Sequence, residues 1–428
     1  MLDIRFIRDN IEQVKAAAAA KKAPVDVEAL LEIDKERRRI IQEVEQLKAA
    51  RNQASKNVAR LKAQDGPERE GKLGLSAALI NREIGEKIKK LDGDLRLVEE
   101  KLEQALLGVP NVADPSVPEG PDETGNVVDR TMGQERAFAF APQPHWELGE
   151  KLEIIDFERG VKVSGTRFYM LRGAGAALQR ALVSWMLDVH VREHGYSEIY
   201  PPYIVNGKCL VGTGQLPKFS DNLYHDVEED LWLIPTAEVP VTNMYRDEVL
   251  EAGVLPLRHV AYTPCFRREK MSAGKDTRGI KRGHQFDKVE LVKFCLPERS
   301  NEELERLVED ACDIPKKLGL RYRVVRLCTG DLTFASLKTY DIEVWSPGCR
   351  EWLEVSSCSN FGDFQARRAN IKFRRDPKAR PEYLHTLNGS GLALPRTLIA
   401  VLENYQNADG TVEVPEVLRP YLGMEVIR

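Results

Sequence analysis

The sequence predicts an α+β protein: an antiparallel sheet with flanking helices, preceded by an N-terminal antiparallel two-helix coiled-coil arm. Three observations carry this reading. Apolar residues recur at heptad spacing through the N-terminal part of the chain. Strand-like runs rich in Val, Ile, Tyr and Trp lie as near neighbours in the remainder. The regular βαβ alternation of a parallel doubly wound sheet does not accompany them.

The first seam runs Ile33, Ile40, Leu47, Ala54 and Leu61, with Leu30, Val44 and Val58 at companion positions. A Gly/Pro-bearing break, from Gln64-Asp-Gly-Pro67 to Gly74, separates it from a second seam. That one reads Ile84, Ile88, Leu91, Leu95, Val98, Leu102 and Ala105. Two helices joined by one short segment must run antiparallel, so residues of about 27–107 form an arm. At ~1.5 Å per residue its first helix is about 50 Å long. Arg37 and Arg51 take seam-type positions and Gly85 and Gly93 weaken the second helix. So thin a pair buries little and suits reaching outward.

Charge along the arm is uneven. No Asp or Glu lies between Glu45 and Asp65, while Lys48, Arg51, Lys56, Arg60 and Lys62 do. Most charge runs are only a solvated helix face. Five uncompensated cations toward the tip nonetheless make a basic stripe suited to a polyanion, whatever the net charge of −4 over the whole chain.

Prolines 110, 115, 118 and 121 mark a linker over 111–130, dividing an N-terminal domain (1–110) from a second domain (131–428). In the second, Ala176–His194 reads as an amphipathic helix leading into Glu198-Ile-Tyr-Pro-Pro-Tyr-Ile204, an extended segment held by two prolines. Strands are expected at Leu231–Pro235, Val260–Phe266, Lys288–Phe294, Asp341–Trp345 and Trp352–Ser357.

Composition excludes several classes. Seven cysteines, an odd number with no CxxC pair, argue against a disulfide framework or zinc site and for reduced, cytoplasmic thiols. No apolar run reaches membrane length, and Met1-Leu-Asp-Ile-Arg5 is not a signal peptide. Neither GxxxxGK[ST] nor a strand–GxGxxG–helix fingerprint is present. Yet Phe266–Glu290 begins and ends like a β-hairpin and carries a long tip dense in Lys, Arg and Gly. Such a tip calls for an anionic ligand to order it.

These features together resemble the seryl-tRNA synthetases, class II aminoacyl-tRNA synthetases of bacterial type, over nearly the whole chain. The helix at 176–194 running into Pro201-Pro202 resembles the first class II motif, which implies a homodimer interface. The hairpin resembles the second, with Arg267-Arg268-Glu269 before its loop and Arg282 and Phe286 after it; Leu387–Arg396 resembles the third. Thr236-Ala237-Glu238, Glu354-Val355-Ser356-Ser357 and Ser359–Arg368 are similar to serine-specific signatures, and His145-Trp-Glu-Leu-Gly-Glu150 also matches.

The resemblance implies activation of L-serine by ATP to seryl-adenylate and transfer to the terminal ribose of tRNA(Ser), often with tRNA(Sec) as a second substrate. It implies that Arg267 meets the α-phosphate and the serine carboxylate, Glu269 the adenine amine, and Phe286 the adenine face. Arg282 and Arg396 hold the γ-phosphate end, beside Arg268, Val355 and Ser356. Glu354 ligates Mg²⁺ with Ser357 nearby. Thr236, Ala237, Glu238, Glu290 and Ser390 form a metal-free serine pocket, and the stripe Lys48, Arg51, Lys56, Arg60 and Lys62 grips tRNA. The chemistry suits these types. In-line displacement at a phosphorus needs fixed cations more than an acid or base, and Arg offers a planar, permanently charged fork for phosphate oxygens. His284 is therefore expected to be structural. Alone, Phe286 would read as a core aromatic and Glu354 as a polar strand residue.

The chain departs from the family at Glu269-Lys-Met-Ser-Ala-Gly-Lys275 and at Pro395, where glycine is frequent. The first touches loop closure; the second suits a first helical turn. A catalytically dead paralogue is disfavoured by intact Arg267, Glu290, Glu354 and Arg396. A ligase of amino acids to a carrier protein is disfavoured by the arm.

Overall fold

The computed structural model describes residues 1–64, 67–270 and 278–428, with side chains apart from 58–78. The chain divides into two compact units: residues 2–18 with 24–109, and Met1 and 19–23 with 110–428.

In the first unit, short helices α1 (Ile4–Asp9) and α2 (Ile11–Ala20) precede α3 (Val27–Gln64) and α4 (Pro67–Leu107). Ile40 and Val44 of α3 bury against Ile88 and Leu91 of α4, flanked by Leu47, Ile84, Leu95 and Val98. Both heptad seams therefore face each other, and α3 at 38 residues spans about 57 Å. Seam-placed Arg37 is accommodated by pairing its Nε with Glu99 Oε1 across the two helices at 3.0 Å. Residues 68–74, read as part of a break, are helical. Pro67 opens α4 because a first turn needs no N–H from its first residue, and seam packing farther along overrides the glycines.

The second unit is built on an eight-stranded sheet. Its strands are β1 (Val127–Met132), β2 (Ser197–Glu198), β3 (Leu257–Phe266), β4 (Gln285–Cys295), β5 (Tyr322–Arg326), β6 (Lys338–Ser346), β7 (Glu351–Asn360) and β8 (His385–Ala393). They lie in the order β1-β5-β6-β7-β8-β4-β3-β2, antiparallel throughout except for the edge pair β2–β3. Helices α5 (Gly173–Arg192), α7 (Ser300–Lys317) and α9 (Leu394–Asn404) feed one core with the sheet; the short helices α6 (Glu238–Asn243) and α8 (Phe364–Ala369) share a second cluster, Val241 and Ala366 with Ala261, Val292 and Phe294. Leu178, Leu182, Leu304, Leu307, Leu398 and Val401 meet Leu291, Ile342, Val344 and Val355 there. Every residue of α9 is buried except Arg396.

The expected strands at 260–266, 288–294, 341–345 and 352–357 all lie in this sheet. Leu231–Leu233 is also a strand, but it pairs with Ile204–Asn206 in a separate two-stranded ribbon, and no strand bridges Pro201-Pro202. Strands β1 and β5 are not among those expected, although Val127-Val128 and Tyr322-Arg-Val-Val-Arg326 carry β-formers, and β8 has no clear local signal. β8 reads His385-Thr-Leu-Asn-Gly-Ser-Gly-Leu-Ala393, poor in β-formers, and is a strand because β4 and β7 pair with it on both sides. The proline-rich stretch 111–130 belongs to the second unit. Asn111 Nδ2 donates to Ala335 O and Phe361 O, both at 2.9 Å, and β1 ends the stretch on the sheet's edge. No helix is long and apolar enough to cross a membrane among the described residues.

Candidate active site

Strands β3 and β4 pair without interruption from Leu257 opposite Phe294 to Phe266 opposite Gln285. Side chains alternate faces along a strand, so Phe286, Lys288 and Glu290 point the same way. They open on a cleft of about 660 Å³. Its lining also includes Thr236 and Glu238, Arg267 and Glu269, Arg282, Glu354 through Ser357, Ser390 and Arg396.

Glu354 and Ser357 stand three apart on β7, which in a regular strand puts them on opposite faces. The register shows why both reach the cleft. Ser357 pairs with Asp341 and Ser356 with Ile342, but Glu343 then pairs with Glu354, leaving Val355 as an extra residue. This bulge turns Glu354 onto the face of Ser357, Asp341 and Glu343, while Val355 goes into the core.

Charges in the cleft are paired against one another. Arg396 Nη1 donates to Glu354 O at 2.6 Å and lies 3.4 Å from Glu354 Oε2. Arg282 Nη1 is 3.8 Å from Glu269 Oε2. Arg267 donates from Nε to Pro235 O at 3.3 Å, and its guanidinium sits 5.1 Å over the Phe286 ring. Glu290, 1% exposed, pairs with Lys288. Glu238 accepts from Gln365 Nε2 at 2.5 Å. Burial, then the nearby Glu290 carboxylate, pushes Glu238 up to about 7, against the pull of Gln365, Lys288 and Arg267. Burial and the neighbouring Glu354 push Asp341 well above the usual carboxylate range.

The cleft thus brings together thirteen of the fifteen positions predicted to bind ATP or serine. Arg268 and Ala237 are the exceptions. Arg268 is exposed outside the lining, its backbone N–H donating to Asn222 O. Ala237 is fully buried in an apolar cluster with Val241, Ala261 and Phe294. His284 Nδ1 lies 3.0 Å from Arg267 O. Of the arm positions, Lys48 and Lys56 are exposed and Arg51 is half-buried at the seam, none in an ion pair among the described residues. The side chains of Arg60 and Lys62 lie outside the described residues, as do Met271 and Lys275 of the altered loop; Lys270 N–H donates to Asn222 Oδ1 at 3.1 Å. Pro395 stands in the first turn of α9.

Sequence reasoning missed several residues. Lys288 was accessible from its alternation with Phe286 and Glu290. Gln365 and Asp341 had no local signal. Nor did a buried hub around Glu403, whose carboxylate accepts from His145 N (2.9 Å), Gly348 N (2.9 Å), Cys349 N (3.1 Å), Cys349 Sγ (3.2 Å) and Ser346 Oγ. His145 Nε2 accepts from Ile280 N at 3.2 Å, so its proton sits on Nδ1, 3.0 Å from Glu403. His145, Cys349 and Glu403 cluster as cation ligands would. With so many donors already on one carboxylate, the group is a strut between α9, the β6–β7 turn and the return side of the basic hairpin.

A second cleft, of about 430 Å³, opens beside α5, Tyr169, Tyr262 and Asp287. Among the described residues its lining has one arginine, Arg180, and shares only Phe286 with the predicted positions.

Comparison with known proteins matches residues 1–113 to the seryl-tRNA synthetase N-terminal domain and 218–405 to the tRNA synthetase class II core domain of the G, H, P, S and T enzymes. The serine–tRNA ligase of Roseiflexus sp. (strain RS-1) is 60% identical over 100% of both chains. That of Thermomicrobium roseum is 59% identical over 99% of this chain and 94% of its own. Among solved structures, seryl-tRNA synthetase from Pyrococcus horikoshii complexed with ATP superposes with a TM-score of 0.91 at 38% identity, covering 100% of this chain and 99% of the other.

Proposed function

The chain belongs to the seryl-tRNA synthetase family, and from that premise we propose that it activates L-serine with ATP and transfers it to tRNA(Ser). The observation that carries the site assignment is the convergence in one cleft of Arg267 and Arg282, from the two sides of the hairpin, and Arg396, from α9, with the acids Glu238, Glu290 and Glu354. Three fixed guanidinium groups suit a polyphosphate, and buried acids suit an ammonium.

Arg267 holds the α-phosphate and the serine carboxylate, so that one carboxylate oxygen attacks the α-phosphorus in line with the departing pyrophosphate. Glu269 accepts from the adenine amine and Phe286 stacks on the ring. Arg282, beside Glu269, and Arg396, beside Glu354, hold the γ-phosphate end. Glu238 and Glu290 receive the serine ammonium; Thr236 and Ser390 complete a pocket that leaves polar groups unpaired when alanine enters. A hydroxyl of the terminal tRNA ribose then attacks the carbonyl of seryl-adenylate and AMP leaves. No general base is assigned.

Hard oxygen donors at Glu354 and Ser357, brought to one face by the bulge, fit a divalent cation. Bound with ATP, Mg²⁺ would neutralise phosphate charge. We further assign tRNA(Sec) as a second substrate, a two-fold homodimer, residues 1–110 as the tRNA-binding domain, and a cytoplasmic location, which the free cysteines suit.

Serine-dependent pyrophosphate exchange, tried with each of the twenty amino acids with and without tRNA, tests the proposal. Exchange with serine alone, before tRNA is added, is expected. Exchange with another amino acid, or none with active-site-intact protein, overturns it.

A further inference from the structure

Asp341 is not used by the chemistry above and is not part of the cleft lining, but Glu354 and Ser357 of the paired strand are. Asp341 is directly opposite Ser357 in the β6–β7 register, and the Val355 bulge sets Glu354 on that same face. The Asp341 carboxylate lies close enough to Glu354 and Ser357 to feel both, and its Oδ1 is buried with no hydrogen-bond partner among the described residues. Nor does a basic side chain pair with it there. The cations nearby are committed: Arg396 to Glu354, and Arg323 to Glu343, two residues along β6 on this face. A buried carboxylate oxygen without a partner is costly, and native structures leave few such atoms unexplained. The alternating residues Ile342 and Val344 show what β6 contributes where packing alone matters.

We propose that Asp341 is a further ligand of the divalent cation that accompanies ATP, its Oδ1 joining Glu354 and Ser357 around the ion. This rests on the reading of Glu354 as a cation ligand. Two carboxylates and a hydroxyl on one face of paired strands are hard oxygen donors of the kind such an ion takes, and Glu354 and Ser357 line the cleft where phosphate oxygens and water would complete its shell. The bulge then has a definite purpose: it brings Glu354 to the side where Asp341 already points.

The test uses full-length protein saturated with a non-hydrolysable ATP analogue and titrated with Mn²⁺, free ion being read by electron paramagnetic resonance. Asp341→Asn keeps the shape and one acceptor for Ser357 but removes the charge. Its Mn²⁺ affinity should fall by about tenfold or more, on the scale for lost ligands and their supports. Affinity for serine, measured without metal, should stay as in the wild type. Asp341→Cys should move preference from Mn²⁺ toward Cd²⁺, a softer ion that favours thiolate, and so answers the case in which the Asn variant fails to fold. Wild-type Mn²⁺ affinity in Asp341→Asn, or no gain for Cd²⁺ in Asp341→Cys, overturns the proposal and leaves Asp341 as a support for Ser357. Glu354→Gln run in parallel separates the two readings. If it weakens Mn²⁺ binding while Asp341→Asn does not, Asp341 alone drops out of the cation site. If it changes nothing, the cation site itself is elsewhere and both assignments fall.

Discussion

Mild acid should loosen serine from the protein well above the range in which ordinary carboxylates titrate, and Glu238→Gln should remove that dependence. Glu238 begins α6, is buried, and lies near the Glu290 carboxylate; these push it up to about 7. At neutral pH it is therefore about half protonated in the ligand-free protein. A docked ammonium favours the ionised form, so binding must expel the proton, and apparent affinity is divided by 1 + 10^(pKa − pH). Between about pH 8 and about pH 5.5 the serine Kd should rise about 30-fold, or ~2 kcal/mol at about 1.36 kcal/mol per pH unit. The sign for stability follows the same shift. An acid raised on folding contributes stability that is present below its unfolded value and lost as pH rises through the folded one. The ligand-free protein should thus lose up to roughly 3 kcal/mol from this group as pH rises from 4.5, the ordinary glutamate value, to about 7. Serine should offset part of that loss at about pH 8 and little of it at about pH 5.5. Calorimetric titration with serine at half-unit pH steps, with proton release read from buffers of differing ionisation enthalpy, measures both. A serine Kd that stays flat across this range in the wild type, or the same slope in Glu238→Gln, would refute the assignment of Glu238 to the ammonium.

Arg267→Lys should lower kcat of serine-dependent pyrophosphate exchange by more than ~10², since a fork that strengthens its contacts in the transition state becomes a point charge; near-normal exchange removes Arg267 from that role. Replacing Lys48, Lys56, Arg60 and Lys62 together by Ala should spare exchange without tRNA, raise the KM for tRNA strongly, and flatten its salt dependence by about one unit of slope for each phosphate these side chains neutralise. Unchanged aminoacylation and salt slope would make the stripe a solvated face. Light scattering should give about twice the 48.4 kDa chain mass at micromolar concentration; a fully active monomer there defeats the dimer. Glu403→Ala should cost about 3–5 kcal/mol in urea unfolding, because it strands His145 and several backbone donors at once. A destabilisation below ~1 kcal/mol would show that the hub is not a strut.

The residues of this chain determined by themselves whatever depends on local period or on an ordered string of side chains. Heptad spacing was enough for α3 and α4 to find their seam, since Ile40, Val44, Ile88 and Leu91 are the apolar residues each helix can offer. Alternation was enough for β3 and β4, and with it for placing Phe286 and Glu290 on one face. The start of α9 was legible because Pro395 suits only a first turn. Tertiary structure alone decided the rest. Nothing in Trp352–Ser357 announces that Val355 is an extra residue; the pairing with β6 makes it one, and that pairing sends Glu354 into the cleft. β8 is a strand because β4 and β7 flank it, not because Gly389-Ser-Gly391 favours extension. Glu238 and Asp341 look like ordinary acids in sequence. Their raised proton affinity arises from burial and from acids brought near by folding, Glu290 on β4 and Glu354 on β7. Local pattern sets which way a side chain points; register between distant strands sets what it meets, and in this protein the charge chemistry depends on the second.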